Sequence, residues 1–381
     1  MRRVTVSLSG DIMIDRLFND MVPRLKSRGW SETRIRNHVW SRDFVKLLGG
    51  TAWFGNLETS IITDDDPSSP QAQRQRQPWP HKTFHFGTQE SVAQSLLIPI
   101  SRTTDVTAFN VANNHILDMG EEGLRETLSI LDQMGIAHAG AGLTLNQAQR
   151  ACIVETHGVR LALLGAGDHP TEWAASDEKS HEMHVPNTWK PPGINYVNVV
   201  GGPRAWAEFL QTVRDTANSV PKHATERDTA HGVDALIVYL HIGANYQASI
   251  PQTTVAFARA IVDAGATIVA VTSPHHLHRM ERYGQGVIFY SLGDALDDYA
   301  IDPTFRNDLG VLAQVDLLVA SQSHSHIKQG SNPREHVQVE NVRLFPTKIS
   351  DLTVRLLNPH RDLIEFKWVM DVLLNGFTPF R

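Results

Sequence analysis

Six positions along this chain place metal-ligating or proton-transfer side chains directly at the end of an apolar run: Asp11, Glu58, the pair Asn114/His115, His241, the pair His275/His276, and Asp294. Carboxylates and amide oxygens bind hard divalent cations, and imidazoles both ligate metals and titrate near neutrality. A carboxylate beside an imidazole also makes a general acid–base unit, because the carboxylate orients the ring and raises its pKa. One such residue behind a strand is an ordinary cap. Six strand ends that carry them mark a site, since ligands of open α/β sheets bind outside the carboxyl ends of the strands.

The elements that must position these groups follow from periodicity. Residues 106–111 form a β-branched apolar run that delivers Asn113, Asn114 and His115. Behind it, Glu121 and Glu122 suit a helix first turn, Leu124, Leu128 and Leu131 share one helical face, and Gly135 suits a left-handed stop. Val4, Val6 and Leu8 alternate with polar residues in a first strand ending at Gly10-Asp11, and 52–59 repeats that design as far as Glu58. Residues 234–240 are almost continuously apolar, as expected of a strand buried on both faces; 267–271 and 287–292 are further strands ending before His275 and Asp294. Residues 151–156 and 159–165 predict a hairpin around His157-Gly158, and 136–139 another strand. Helices are expected over 205–218, 255–264 and 363–374. Residues 82–86 suggest a short strand whose His85 either faces the site or crosses the sheet. The polar, proline-rich stretch 62–80 reads as a solvated loop or lid. The stretch 168–202, rich in proline, tryptophan and histidine, reads as an ordered functional loop, because Trp173 and Trp189 are costly to leave in water.

A chain of 381 residues can hold one large domain or two, and 41% hydrophobic with 20% charged residues allows a sizeable core. A net charge of −6 and a pI near 6.3 argue against nucleic acid or an anionic membrane as partner. One cysteine, Cys152, excludes an internal disulfide framework and suits a reducing compartment. The strand pattern beginning at Val4 leaves no room for a signal peptide's apolar region, and no run of about 18 apolar residues suggests a membrane span. A cytoplasmic protein is expected.

The order of motifs resembles the CapA-type poly-γ-glutamate and capsule synthesis family, a branch of the calcineurin-like metallophosphoesterases. The matching residues are Gly10-Asp11 with Arg16, Gly55-Asn56-Leu57-Glu58, Asn113-Asn114-His115 with Asp118 and Gly120, and Asp168-His169-Pro170 with Glu172-Trp173. The match continues through Gly193 and Tyr196, Leu240-His241-Ile242-Gly243, Ser273-Pro274-His275-His276, and Ser291-Leu292-Gly293-Asp294 to Asp298-Tyr299. The resemblance implies an α/β fold, a calcineurin-like four-layer α/β/β/α sandwich of two mixed sheets flanked by helices. It implies one domain over 1–381, with loop insertions at 62–80 and 168–202.

Departures from the family's distant two-metal relatives are informative. Those would show Asp-x-His in the first motif, Gly-Asp-x-x-Asp in the second and Gly-His-x-His in the last; this chain has Asp11-Ile12-Met13, Gly55-Asn56-Leu57-Glu58 and Val271-Thr272-Ser273. Two metals need a shared ligand and a near-complete set on each side. This inventory supports one divalent ion, Ca²⁺, Mn²⁺ or Mg²⁺, with Glu58, Asn114 and His241 as its ligands and no organic cofactor.

One branch that resembles this family epimerises the C-terminal residue of a ribosomal lasso-peptide precursor, and an impoverished metal set suits that cofactor-free proton chemistry. On this reading Asp11, His115, His275, His276 and Asp294 are catalytic, while His85, Asp168, His169 and Trp173 bind substrate. The partner is then a peptide, with no nucleic acid and no membrane. Two alternatives stand beside it: a metal-dependent phosphatase or phosphodiesterase, and a scaffold in polymer or capsule synthesis. Ala295 is smaller than the residue the family usually places after Gly-Asp. Either it leaves room for a substrate side chain, or a functional side chain has been lost there.

Overall fold

The strand Arg2–Ile12 lies at the centre of the larger sheet and is buried from Val6 to Ile12. It runs parallel to Ala52–Leu57 on one side and antiparallel to Leu309–Val319 on the other. The sheet extends through Val106–Asn110 to Ala137–Ala139 at one edge and through Val337–Ser350 to Thr353–Leu356 at the other. Only the carboxyl end of Arg2–Ile12 accepts a further neighbour, the short parallel strand Asp294–Leu296, which sets Asp11 opposite Asp294. This computed structural model describes residues 1–64, 78–80, 82–176, 191–218, 232–320 and 337–380.

A second sheet is ordered Met280–Tyr283, Gly286–Phe289, Ile268–Thr272, Ala235–His241, Val159–Gly167, Cys152–Thr156. All seven residues of Ala235–His241 are buried, and strand alternation divides them between two apolar layers. Ile237 and Tyr239 face Val6, Leu8 and Phe54 between the sheets. Leu236, Val238 and Leu240 face the outer helices Pro203–Ala217 and Gln252–Ala264 through Trp206, Phe209, Phe257 and Ile261. On the far side of the first sheet, Ile12, Trp53 and Phe109 pack on Phe18, Ile35 and Phe44 from the helices Leu17–Ser27, Glu32–Val39 and Arg42–Leu48. The result is the α/β/β/α sandwich, with three apolar layers between four layers of structure. No helix among the described residues is long and apolar enough to cross a membrane.

Several expected elements stand where periodicity puts them: the hairpin Cys152–Thr156/Val159–Gly167, the helix Gly120–Met134 with Gly135 at φ 69°, and the last helix Leu363–Asn375. Residues 82–86 are not a strand. Lys82 and Phe86 are tied to Asp118 instead, and pairing resumes only at Gly87–Gln89, alongside Ser60–Ile62. The strand expected over 287–292 ends at Phe289, where the chain turns toward Asp294. Most of the expected 62–80 loop (65–77) and the middle of the 168–202 loop (177–190, with Trp189) lie outside the described residues.

Gly10 shows how tightly the strand ends meet. A Cβ there would lie 1.6 Å from the carbonyl oxygen of Gly293, against backbone that cannot swing aside. Gly10→Ala must therefore part the two strands that hold Asp11 and Asp294. We expect it to destabilise the protein by about 1–3 kcal/mol or more, measured as a lowered denaturation midpoint.

Candidate metal centre

Glu58 leaves the strand Ala52–Leu57 at its carboxyl end and is 0% exposed, and neither carboxylate oxygen has a hydrogen-bond partner among the described residues. Its Oε1 is instead faced by three imidazoles: His241 Nε2 at 3.5 Å, His115 Nε2 at 3.9 Å and His275 Nε2 at 3.9 Å. Asn114 Oδ1 lies 2.9 Å from His241 Nε2. Ligands sharing one cation at bond lengths of about 2.1 Å stand roughly 3.0–3.5 Å apart. The cluster is slightly wider than that. The orphaned buried carboxylate, the converging ring nitrogens and the amide oxygen fit a divalent ion.

The other ring nitrogens are held from outside. His115 Nδ1 is 2.6 Å from Asp118 Oδ2, which also accepts the Phe86 backbone N–H at 2.7 Å. His275 Nδ1 is 3.0 Å from Asp294 Oδ1. His241 Nδ1 lies 3.0 Å from Thr272 Oγ1 and 3.2 Å from Asn56 Nδ2. Such outer bonds fix the ring orientation of metal-binding histidines. Burial pushes His115 and His241 down to about 4, so both rings are neutral at pH 7.

Asp11 sits beside this cluster, 1% exposed, with His275 Nδ1 at 3.4 Å and His241 Nδ1 at 3.7 Å. Asn56 Nδ2 donates to one oxygen at 2.7 Å and the Ser273 backbone N–H to the other at 3.2 Å. Burial works to raise its carboxyl, but His241, His275 and the Asn56 bond outweigh it and hold Asp11 below its usual value. Glu58 goes the other way: burial and then the Asp11 charge push it well up. Asp294 is likewise raised, by burial above all. Two donor trios lie within coordination reach, Asp11/Glu58/His241 and Asp11/His275/Asp294.

Seven of the residues singled out in the sequence thus converge: Asp11, Glu58, Asn114, His115, His241, His275 and Asp294. Asp168 and His169 reach the rim. Asp168 accepts the Gly243 N–H at 3.1 Å and faces His169 Nδ1 at 2.5 Å, and the His169 ring centroid lies 5.4 Å from that of His241. Three do not join them. His276 points its ring nitrogens at the backbone carbonyls of Leu277 and Gln247 and packs on Phe305 and Phe377, because left-handed backbone at His275 (φ 57°) sends adjacent side chains apart. Trp173 is 1% exposed in an apolar cluster against Trp79, so its indole supports the wall rather than touching a ligand. His85 turns to the Trp79 carbonyl at 2.7 Å, and its neighbour Phe86 reaches the site, stacking on His115 at 4.0 Å. Ala295 is 5% exposed and packs in the cluster between the first sheet and its helices.

Other contributors had no role assigned from the sequence, although Asn56 and Asp118 stand in the matched motifs. Asn56 ties Asp11 to His241 and itself accepts from Asn110 and Asn113. Lys82 contacts Asp118, the Asn114 carbonyl and His115 Nδ1. Asp118 carried a readable signal, three residues after His115 as a turn requires. Lys82 carried none, lying in a stretch that resembled a strand.

A family model described as "Bacterial capsule synthesis protein PGA_cap" matches residues 5–299. The chain is 25% identical over 296 residues to "Capsule biosynthesis protein CapA" of Bacillus anthracis, a match covering 78% of this chain and 60% of that protein. It is 31% identical over 210 residues to a "Probable polyglutamine synthesis accessory protein" of Mycobacterium tuberculosis, covering 53% of this chain and 49% of the other. Among solved structures, the 5'-nucleotidase of Candida albicans aligns with 98% of this chain and 55% of its own, at 8% identity and a TM-score of 0.34.

Proton and metal compete for these groups, which sets a pH dependence. His115 and His241 bind fewer protons folded than unfolded between about 4 and 6.5, so the stability from their neutral rings is present above about 6.5 and lost as pH falls toward 4. The raised Glu58 and Asp294 contribute oppositely, their stability being lost as pH rises. A divalent ion relieves that second loss. Saturating Mn²⁺ should therefore raise the melting temperature by about 2–5 °C at pH 7.5 and clearly less at pH 5, and Glu58→Gln should remove most of the shift in thermal denaturation.

Proposed function

The chain belongs to the bacterial capsule synthesis protein PGA_cap family, and from that premise and the groups around Glu58 we propose that it is a metal-dependent peptide epimerase. It would invert Cα of the C-terminal residue of a ribosomal precursor peptide. The observation that carries this reading is Met13. A two-metal phosphoesterase of the calcineurin type has a histidine two residues after the first aspartate; here that position is apolar and 1% exposed. What stays beside the cation cluster is acid–base equipment: Asp11, held by Asn56 and Ser273, and the Asp168–His169 pair, both bordering His241.

Epimerisation needs one proton taken from carbon and one returned from the other face, with the C–H electron pair staying on the substrate in between. Asp11, kept below its usual pKa and therefore ionised, accepts the first proton. His169, oriented by Asp168, delivers the second. Asp294 fixes the His275 ring, and Asp118 fixes the His115 ring. A divalent cation held by Glu58, Asn114 and His241, completed by His115 and His275, would supply polarisation of the carboxylate next to the reacting carbon. With three imidazole nitrogens against two oxygens, Mn²⁺ fits this set better than Ca²⁺ or Mg²⁺, which take oxygen ligands.

Phosphoester hydrolysis is the second reading. The trio Asp11/His275/Asp294 favours it, because a further cation there would complete a two-metal centre. One experiment separates the two. Metal-loaded protein in D₂O receives a peptide ending in a bulky residue and, separately, an aryl phosphate. Epimerisation requires deuterium at Cα of the last residue and inverted configuration, with Asp11→Asn at least about 10²-fold slower. Phosphate release without α-deuteration would replace it with the hydrolase reading, and neither product would leave a scaffold role.

A further inference from the structure

Arg16 follows the strand that ends in Asp11, and its backbone lies at φ 43°, ψ −105°, left-handed for a residue that is not glycine. Such conformations are held only where surrounding contacts over-determine them, and they cluster at ligand sites. The contacts here are specific. Arg16 Nε donates to Asp298 Oδ2 at 3.1 Å, while Nη2 donates to the Asp298 carbonyl at 3.1 Å and lies 2.5 Å from Oδ1. The guanidinium carbon sits 5.4 Å from the ring centres of both Phe86 and Tyr299. These rings cover two of the imidazoles around Glu58: Phe86 stacks on His115 at 4.0 Å, and Tyr299 meets His275 edge-on at 5.3 Å.

The guanidinium is thus clamped along one edge and between two rings that also border the cation cluster. Nη1 is left with no protein partner among the described residues, and the Arg16 side chain keeps 37% of its exposure while that of Asp298 keeps 2%. A salt bridge with a purely structural purpose would have no need of a strained backbone or of an aromatic frame shared with the site. Asp298 also accepts the Leu17 backbone N–H at 3.2 Å.

We propose that Arg16 is the anion anchor of this site, its free Nη1 donors binding the terminal carboxylate of the substrate peptide. The assignment rests on the epimerase reading and deepens it. Taking an α-proton next to a carboxylate builds a second negative charge on the carboxylate oxygens, and a single divalent ion leaves that charge only partly offset. A carboxylate has two oxygens, and a guanidinium is shaped to take one without competing for the metal's ligands. In a peptide only the last residue has a carboxylate bonded directly to its Cα, so an anchor at Arg16 confines the reaction to that residue.

Binding, rather than turnover, tests this. Metal-loaded protein is titrated by calorimetry with a short peptide bearing a free C-terminal carboxylate and with the same peptide as its C-terminal amide. The acid should bind at least about ten-fold more tightly than the amide, and Arg16→Gln should bring the two within about two-fold of each other by weakening the acid alone. Arg16→Lys, which keeps the charge but loses the fork, should retain part of the preference. Equal affinity for acid and amide in the unaltered protein, or an undiminished preference in Arg16→Gln, overturns the proposal; the first comparison needs no variant and so does not depend on one folding. A peptide acid bound in preference to its amide without α-deuteration would keep Arg16 as anchor while ending the epimerase reading.

Discussion

A carboxylate buried with no donor to meet it is among the least favourable arrangements a folded chain can hold, and Glu58 is in that position. Removing such a group from water costs several kcal/mol unless charge or hydrogen bonds compensate. Among the described residues the groups that face it are ring nitrogens, an amide oxygen and other acids, with the Lys82 ammonium, paired to Asp118, the nearby cation. This arrangement is a stable one only with a positive charge in its midst. The rest of the structure can be understood as the means of holding these mutually repelling groups within a few ångströms until a cation or protons reconcile them.

That holding comes from both sheets. The first sheet supplies Asp11, Glu58 and Asp294, with Asn114 and His115 on the loop that follows its Val106–Asn110 strand. The second supplies His241 and, beyond Ile268–Thr272, His275. Neither sheet alone carries a usable ligand set. They are fastened to each other just below the site, where the buried Tyr239 hydroxyl reaches the carbonyl oxygens of Ser9 and Phe54 at 2.9 and 3.0 Å. Ser9 lies two positions before Asp11 and Phe54 two before Asn56, so the bond that joins the layers also sets the separation of ligands from opposite sheets.

Much of this was legible in the chain itself. Strand-end placement of Asp11, Glu58, His115, His241, His275 and Asp294 is read from apolar runs followed by a break, and the structure gathers all six. His276 shows where that logic stops: adjacent residues share a motif but not a direction, and only the backbone conformation at His275 decides which ring turns inward. Trp173 and His85 failed for a related reason, since an aromatic side chain beside a site can line it or support it, and composition does not distinguish the two. Asn56, Lys82 and Arg16 matter through partners 45, 36 and 282 residues away, at Asp11, Asp118 and Asp298. No local pattern encodes such pairings.

The Tyr239 bridge has a bearing on how proteins of this architecture change. Because the interlayer core acts as a spacer, side chains such as Ile237, Leu161 or Phe54 govern the gap across which the ligands face one another, although none of them meets a ligand. Trimming or enlarging one by a methylene alters that gap by a fraction of an ångström, comparable to the difference in radius between neighbouring divalent ions. Ion preference can therefore drift through hydrophobic substitutions alone, with every polar residue of the pocket left in place.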